Sequence, residues 1–428
     1  MLRISIFLIL FFLCCCSYKP EFKSNKAQIR NHNGKFLLLV NDEPYFIKGA
    51  VAWQRFELVA KYGGNGVRSG CRKNILDQSD SFSLKNLVNL PVRPERDGFD
   101  YNDSALVHQQ FDRVIALVDS FRIHPAVLMW ALGNELDWIP PGIPYNRKMW
   151  TEVNRMAKKI HEIDPYHPVL TVIGSADEEK IREIITLCPD LDLIGLNEYG
   201  DILDLPGNLR KWGWKKPYVI TEWGPTGFWQ VPLTDWGVPV EETSTEKAIL
   251  YKKRYEEAIL KDDSMCLGSY VFLWNQHQER THTWFGMFDE HWRETEAVDV
   301  MKYEWTGKWP PNTAPRIDSI LLDNRKAIES IRLESTKIYE ARVFSSDPEN
   351  DPLQFDWEVL KEGTDFPYGG RGETRPEAVP DLFVIKNSDR ITFQSPRDKG
   401  AYRLFLYVYD NHNHFSTANI PFYVETLN

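Results

Sequence analysis

The fold is decided by Val127 to Asp137, VLMWALGNELD. Val127 to Leu132 is an almost unbroken apolar run, the pattern of a strand covered on both faces in a parallel sheet flanked by helices. The run stops on Gly133, Asn134 and Glu135. A buried parallel strand that ends in an amide and a carboxylate delivers polar groups to the C-terminal rim of its sheet, where barrel enzymes keep their chemistry. A second stretch repeats this grammar: Pro217 to Thr221 (PYVIT) is short and apolar and ends on Glu222, Trp223 and Gly224. Two carboxylates on two strand ends form a candidate acid and nucleophile pair.

Strand and helix signals alternate on both sides of these motifs. Apolar strand runs are expected at Tyr45 to Lys48 leading into Gly49, Asn65 to Ser69, Asn86 to Pro91, Val127 to Leu132, Val169 to Ile173, Leu193 to Leu196, Tyr218 to Thr221 and Leu267 to Trp274. Helical spacing separates them, as at Ser104 to Phe121, where Asn102, Asp103 and Ser104 offer caps, and at Asn146 to Ile163. Gly70 to Lys85 should hold the second helix, yet its serines and aspartates leave little apolar face. Eight alternations are the signature of a closed (β/α)8 TIM barrel. Beyond Trp309 the grammar changes. WPPNTAP is a proline-rich boundary, and short alternating runs such as Ala341 to Phe344, Phe355 to Leu360 and Tyr402 to Tyr409 follow it. They predict a C-terminal β-sandwich of immunoglobulin-like kind. The expected domains are therefore a barrel over 31–309 and a sandwich over 310–428.

GNE after one apolar strand and TEWG after a later one resemble the retaining glycoside hydrolases built on a (β/α)8 barrel, most closely the family 2 catalytic barrel. KFLLLVNDEPYFIKGA resembles the entry to such barrels. The resemblance implies that Glu135 is the general acid/base and Glu222 the nucleophile. It further implies that Arg68 supports the nucleophile, or else forms a structural ion pair; that Asn134 binds the sugar 2-hydroxyl; and that Tyr199 hydrogen-bonds the nucleophile. Trp274 would lie beneath the reacting sugar, or pack in the core. The expected tether leads almost straight into strand one, with no room for the large sandwich domains that usually precede a family 2 barrel, so the resemblance does not carry over an exo-acting β-galactosidase or β-glucuronidase specificity.

Composition narrows the partners. A net charge of -10 without a long basic run argues against nucleic acid. Aromatic residues make up 13% of the chain, and indole and phenol rings offer flat apolar faces to sugars. Trp138, Trp223 and Trp284 fall after strands and are candidate sugar platforms, as are Trp53, Tyr145, Trp229 and Trp236. Gln276, His277 and Glu279 follow strand eight and could bind hydroxyls. Glu198 reads as a loop residue or a polar sugar contact. His277 has no partner at metal-ligand spacing, so no metal and no cofactor is expected. Cys71, Cys188 and Cys266 sit beside apolar segments and read as buried thiols.

The first residues read as an export signal. Arg3, the apolar run Ile4 to Leu13 and the cysteines at 14–16 fit a signal over 1–16. The Leu-x-x-Cys ending at Cys16 resembles a relaxed bacterial lipoprotein signal, which implies a lipid on Cys16, a polar tether over 17–30 and anchoring at a periplasmic or cell-surface face. Free secretion after cleavage is the alternative. Taken together, the expectation is a retaining β-glycoside hydrolase acting on a poly- or oligosaccharide. A β-glucan transglycosylase and a non-catalytic cell-surface glycan-binding protein are the alternatives.

Overall fold

The computed structural model of the protein describes residues 26–139, 145–364 and 372–426. The expected signal, Cys16 and the start of the tether lie outside the described residues. Among the described residues no helix is long and apolar enough to cross a membrane.

The chain opens with β1 (Ala27–His32), β2 (Lys35–Val40) and β3 (Glu43–Pro44), one antiparallel sheet. Residues 27–30, expected as tether, are therefore strand. Ala27, Ile29 and Leu38 supply an apolar face that packs with Ile47, Met129 and Val219 of the barrel interior. The Ala27 N–H donates to the Tyr166 carbonyl (3.0 Å) and the Phe36 N–H to that of Ser264 (2.8 Å). Both acceptors precede barrel strands, so this sheet closes the N-terminal end of the barrel.

The barrel strands are β4 (Ile47–Val51), β5 (Gly66–Gly70), β6 (Lys85–Leu90), β7 (Val127–Leu132), β8 (Val169–Leu170), β9 (Val172–Gly174), β10 (Ile194–Asn197), β11 (Tyr218–Glu222) and β12 (Cys266–Val271). They pair in the order β8-β7-β6-β5-β4-β12-β11-β10-β9. The two ends of that order are the halves of one expected strand, interrupted only at Thr171. Its hydroxyl donates to the Leu132 carbonyl (2.8 Å) and its own carbonyl accepts from Gly195 (2.9 Å), so the ring closes across it. Strand eight ends at Val271 rather than at Trp274. Past that point Leu273 pairs with Phe285 and Met287, on the chain's own returning loop.

Around the ring lie α1 (Phe56–Lys61), α2 (Lys73–Ser81), α3 (Ser104–Phe121), α4 (Lys148–Ile163), α5 (Glu178–Leu187), α6 (Leu205–Lys211), α7 (Ser244–Arg254) and α8 (Glu296–Thr306). The doubtful second helix forms. Its buried residues are Leu76 and Ser79, and the serine hydroxyl is satisfied by bonding to Ile75 and Asn86 instead of solvent. Asp103 caps α3 through the Ala105 and Leu106 amides, and Thr243 with Glu246 forms a capping box on α7.

The C-terminal region is a two-sheet β-sandwich. Its strands are β13 (Arg316–Leu322), β14 (Ile331–Glu334), β15 (Ile338–Ser346), β16 (Gln354–Lys361), β17 (Arg390–Gln394), β18 (Gly400–Tyr409) and β19 (Phe415–Glu425). One sheet runs β13-β15-β17 and the other β14-β19-β18-β16, around a core that includes Trp357, Leu404, Ile420 and Phe422. It docks against α7 and the segment before it. Thr417 N–H donates to Ser244 Oγ and Ile317 N–H to Thr245 Oγ1 (2.9 Å each), while Asn419 donates to Glu241 (2.7 Å). Glu241 also holds a buried ion pair with Lys247 at 2.6 Å.

Candidate active site

The turn that follows β7 is built to present Glu135. Gly133 and Glu135 both adopt left-handed backbone, with φ of 77° and 47°. A Cβ at Gly133 would meet Leu136 at 2.7 Å, so glycine is required there on two counts. Glutamate in that region is uncommon and costs conformational energy. A hydrogen bond from its N–H to the Val172 carbonyl (2.9 Å) holds the turn against β9. Glu222 needs no such device, because it is the last residue of β11.

One buried network joins the two carboxylates. Arg68, in the middle of β5 and 2% exposed, donates from Nη1 to Glu222 Oε1 at 2.7 Å and from Nη2 to Asn134 Oδ1 at 2.5 Å. Tyr199 Oη donates to Glu222 Oε2 at 3.2 Å. Asn197, the last residue of β10, donates from Nδ2 to Glu135 Oε1 at 2.7 Å and to Asn134 Oδ1 at 3.2 Å. Its own Oδ1 accepts from Thr221 Oγ1 at 2.8 Å. Sequence reading missed Asn197. Its signal is a polar residue ending an apolar strand, as in GNE.

The two acids sit in different surroundings. Burial pushes the Glu135 carboxyl up to about 7, and the negative charge of Glu222 adds to the effect; the Asn197 amide works against it. Glu222 instead has a guanidinium and a phenol on its oxygens. A third carboxyl, Glu279 in the loop after β12, is pushed up to about 8 by burial and then by Glu222, Glu373 and Glu135. Glu373 belongs to the sandwich, and accepts from the Arg280 amide at 2.9 Å. The sandwich therefore reaches the loop that walls the mouth. Glu198 is a brace: it is 4% exposed and accepts from the Ala176 amide at 3.2 Å.

Three of the expected sugar platforms are corrected. Trp223 stacks on Tyr255 against α7, Trp274 stacks on Trp305 of α8, and Trp284 donates its indole N–H to the Thr226 carbonyl; all three are at most 1% exposed. Each lies past a strand end, where the chain doubles back under the rim and turns the ring inward. Gln276 lines a cavity of about 190 Å³ between the barrel loop and the sandwich, and no hydrogen bond ties it to either carboxylate among the described residues. The exposed rings at the mouth are Trp53, Trp138 and Trp229, after β4, β7 and β11. Trp229 stands edge-on to Tyr199 at 5.5 Å, and Trp53 edge-on to His277 at 5.9 Å.

A closed parallel barrel with two unlike carboxylates, an arginine and a tyrosine at its C-terminal mouth has the frame of a (β/α)8-barrel glycosidase. Residues 80–228 match the family model described as glycosyl hydrolases family 2, TIM barrel domain. The matched segment runs from the end of α2 to just past β11. Among solved structures the chain is similar to Bacteroides uniformis β-glucuronidase 2, with a TM-score of 0.52 and 12% identity, covering 94% of this chain and 48% of that one. It is also similar to B. uniformis β-glucuronidase 3 (TM-score 0.50, 13% identity, 94% and 52% covered). The β-D-glucuronidase of Dictyoglomus thermophilum gives a TM-score of 0.50 at 17% identity, with 66% and 54% covered. The chain thus spans about half the length of these structures. No curated protein matches the sequence.

Proposed function

We propose that the protein is a retaining β-glycoside hydrolase in which Glu135 is the acid/base and Glu222 the nucleophile. The observation that carries this reading is the unlike surroundings of two carboxyls joined through Arg68, Asn134 and Asn197. In the first step Glu222 attacks the anomeric carbon while Glu135 gives its proton to the leaving oxygen. In the second, Glu135 takes a proton from water, which displaces the enzyme ester. Arg68 and Tyr199 hold Glu222 aimed, each through a hydrogen bond to one of its oxygens. Asn134, fixed by Arg68 and Asn197, is set to meet the 2-hydroxyl, a contact that strengthens in the oxocarbenium-like transition state. As Glu222 becomes an ester its charge vanishes, which lowers the proton affinity of Glu135 when it must act as base.

The similar structures include β-glucuronidases, and this reading leaves the sugar at the mouth open. The rim rings Trp53, Trp138 and Trp229 support a substrate longer than one sugar, with faces for outer units. The N-terminal cysteine motif supports export and lipid anchoring at Cys16.

The test is turnover on a panel of aryl β-glycosides and β-glucans with Glu135→Gln and Glu222→Gln as controls, the products resolved by mass. Expected are hydrolysis, retained anomeric configuration in the first product and loss of turnover in both variants. Products longer than the substrate would make it a transglycosylase. Binding without turnover in the wild type would make it a glycan-binding protein.

A further inference from the structure

A second cluster of ionisable side chains lies where the barrel meets the sandwich, apart from the mouth. Glu294 lies just before α8, Asp299 in its first turn and His414 just before β19. The backbone sets the pairing: Glu294 N–H donates to the Asn413 carbonyl and Phe415 N–H to that of Glu294, each at 2.9 Å. One ligand atom from each of Glu294, Asp299 and His414 lies within 4.8 Å of the others. The residues are 5%, 0% and 8% exposed.

Three features of this cluster call for a cation at its centre. His414 Nε2 is 3.7 Å from Glu294 Oε2 and 4.0 Å from Asp299 Oδ1. Those separations are too long for hydrogen bonds, yet two coordinate bonds of about 2.0–2.2 Å to one ion span them. Asp299 Oδ1 is buried without a hydrogen-bond partner, although Oδ2 accepts from the Ala314 amide at 2.8 Å. An orphaned buried carboxylate oxygen is costly unless something charged meets it. Finally, His414 Nδ1 lies 2.9 Å from Asp410 Oδ2. A carboxylate only accepts, so Nδ1 carries a proton, and Nε2 is the ring atom turned toward the two other carboxylates. Among the described residues no lysine or arginine forms an ion pair with Glu294, Asp299 or Asp410.

The geometry points to a divalent-cation site between barrel and sandwich, with Glu294, Asp299 Oδ1 and His414 Nε2 as ligands and Asp410 orienting the imidazole. Two carboxylate oxygens and one imidazole suit a zinc-class ion with water in the remaining position. Calcium, which takes six or more oxygens, is not matched. Tyr62, whose hydroxyl donates to Glu294 Oε2 at 2.6 Å, fixes that ligand from the barrel side. The ion fastens the sandwich to the barrel and takes no part in the chemistry at the mouth, so the site stands whatever the glycosidase assays return.

The test uses the full chain, stripped with chelator and titrated with Zn²⁺, Mn²⁺ and Co²⁺. Expected are one tightly held equivalent by elemental analysis, a higher melting temperature with metal and a fall with chelator. Asp410→Asn should weaken binding by about 10–100-fold and His414→Gln should abolish it. Should His414→Gln not fold, the Co²⁺-loaded wild type decides: ligand-field bands in the visible and spectroscopic coupling to one imidazole nitrogen support the site. Less than a tenth of an equivalent with no thermal shift overturns it. So does stoichiometric binding that His414→Gln leaves intact, or a bound Co²⁺ with no imidazole.

Discussion

Two of the places where the protein buries acids are built differently. At the mouth, Glu135 and Glu222 share a pocket with Arg68, whose guanidinium lies on one carboxylate only. At the domain junction, Glu294, Asp299 and Asp410 surround His414 with no guanidinium or ammonium paired to them among the described residues. Burying a charge costs several kcal/mol unless a partner offsets it. At the mouth a lopsided partner gives two like residues unlike surroundings, which the double displacement proposed above would use. At the junction nothing splits them, and the charge is left for an external ion to answer.

That contrast can be broken by experiment. The largest effect is expected for Glu222→Gln, which removes the attacking group and should cost turnover by about 10⁴-fold or more in single-turnover assays. Glu135→Gln should cost about 10²–10⁴-fold. In the wild type the same residue should give an alkaline limb, with kcat/KM falling as pH rises through about 7. Asn197→Ala should lower kcat by about 10²-fold through lost positioning of Glu135 and Asn134. Because the Asn197 bond favours the ionised form of Glu135, its loss should also move the alkaline limb to higher pH.

Trp229→Ala should raise KM by about tenfold with kcat nearly unchanged, as expected for stacking worth about 1–2 kcal/mol. Trp274→Ala, by contrast, should cost stability of about 3–5 kcal/mol, read by denaturant unfolding. The smallest effect concerns stability and pH. The folded Glu135 holds its proton up to about 7, above its ordinary value of 4.5, so the folded state binds more protons than the unfolded one between those values. Stability contributed below pH 4.5 is then lost as pH rises toward 7, by up to about 3 kcal/mol. Glu135→Gln should therefore raise the melting temperature at pH 8 and leave it nearly unchanged at pH 4. Equal shifts at both pH values would remove the asymmetry on which the comparison rests.

The barrel was legible in the sequence because strands covered on both faces must be apolar along their whole length, as Val127–Leu132 is. The two catalytic candidates were legible for a related reason, since a carboxylate closing such a run has nowhere to go but the rim. Ring orientation was not legible. Trp223 follows Glu222 directly, yet its position under the rim depends on Tyr251 and Tyr255, which belong to a helix and its extension many residues later. The start of the fold is not legible, because β1 (AQIRNH) is largely polar and becomes strand only by pairing with the apolar β2. The junction cluster left no local motif at all. Its members come from the start of the barrel, from α8 and from the last turn of the sandwich, and no spacing rule joins Tyr62 to His414.

The sheet formed by β1, β2 and β3 has a consequence for orientation. The described chain enters beside Tyr166 and Ser264, at the closed pole of the barrel, while Glu135, Glu222 and the exposed indoles occupy the opposite pole. Anything attached at Lys26 would therefore meet the molecule beneath the barrel, leaving the pole that carries both carboxylates unobstructed.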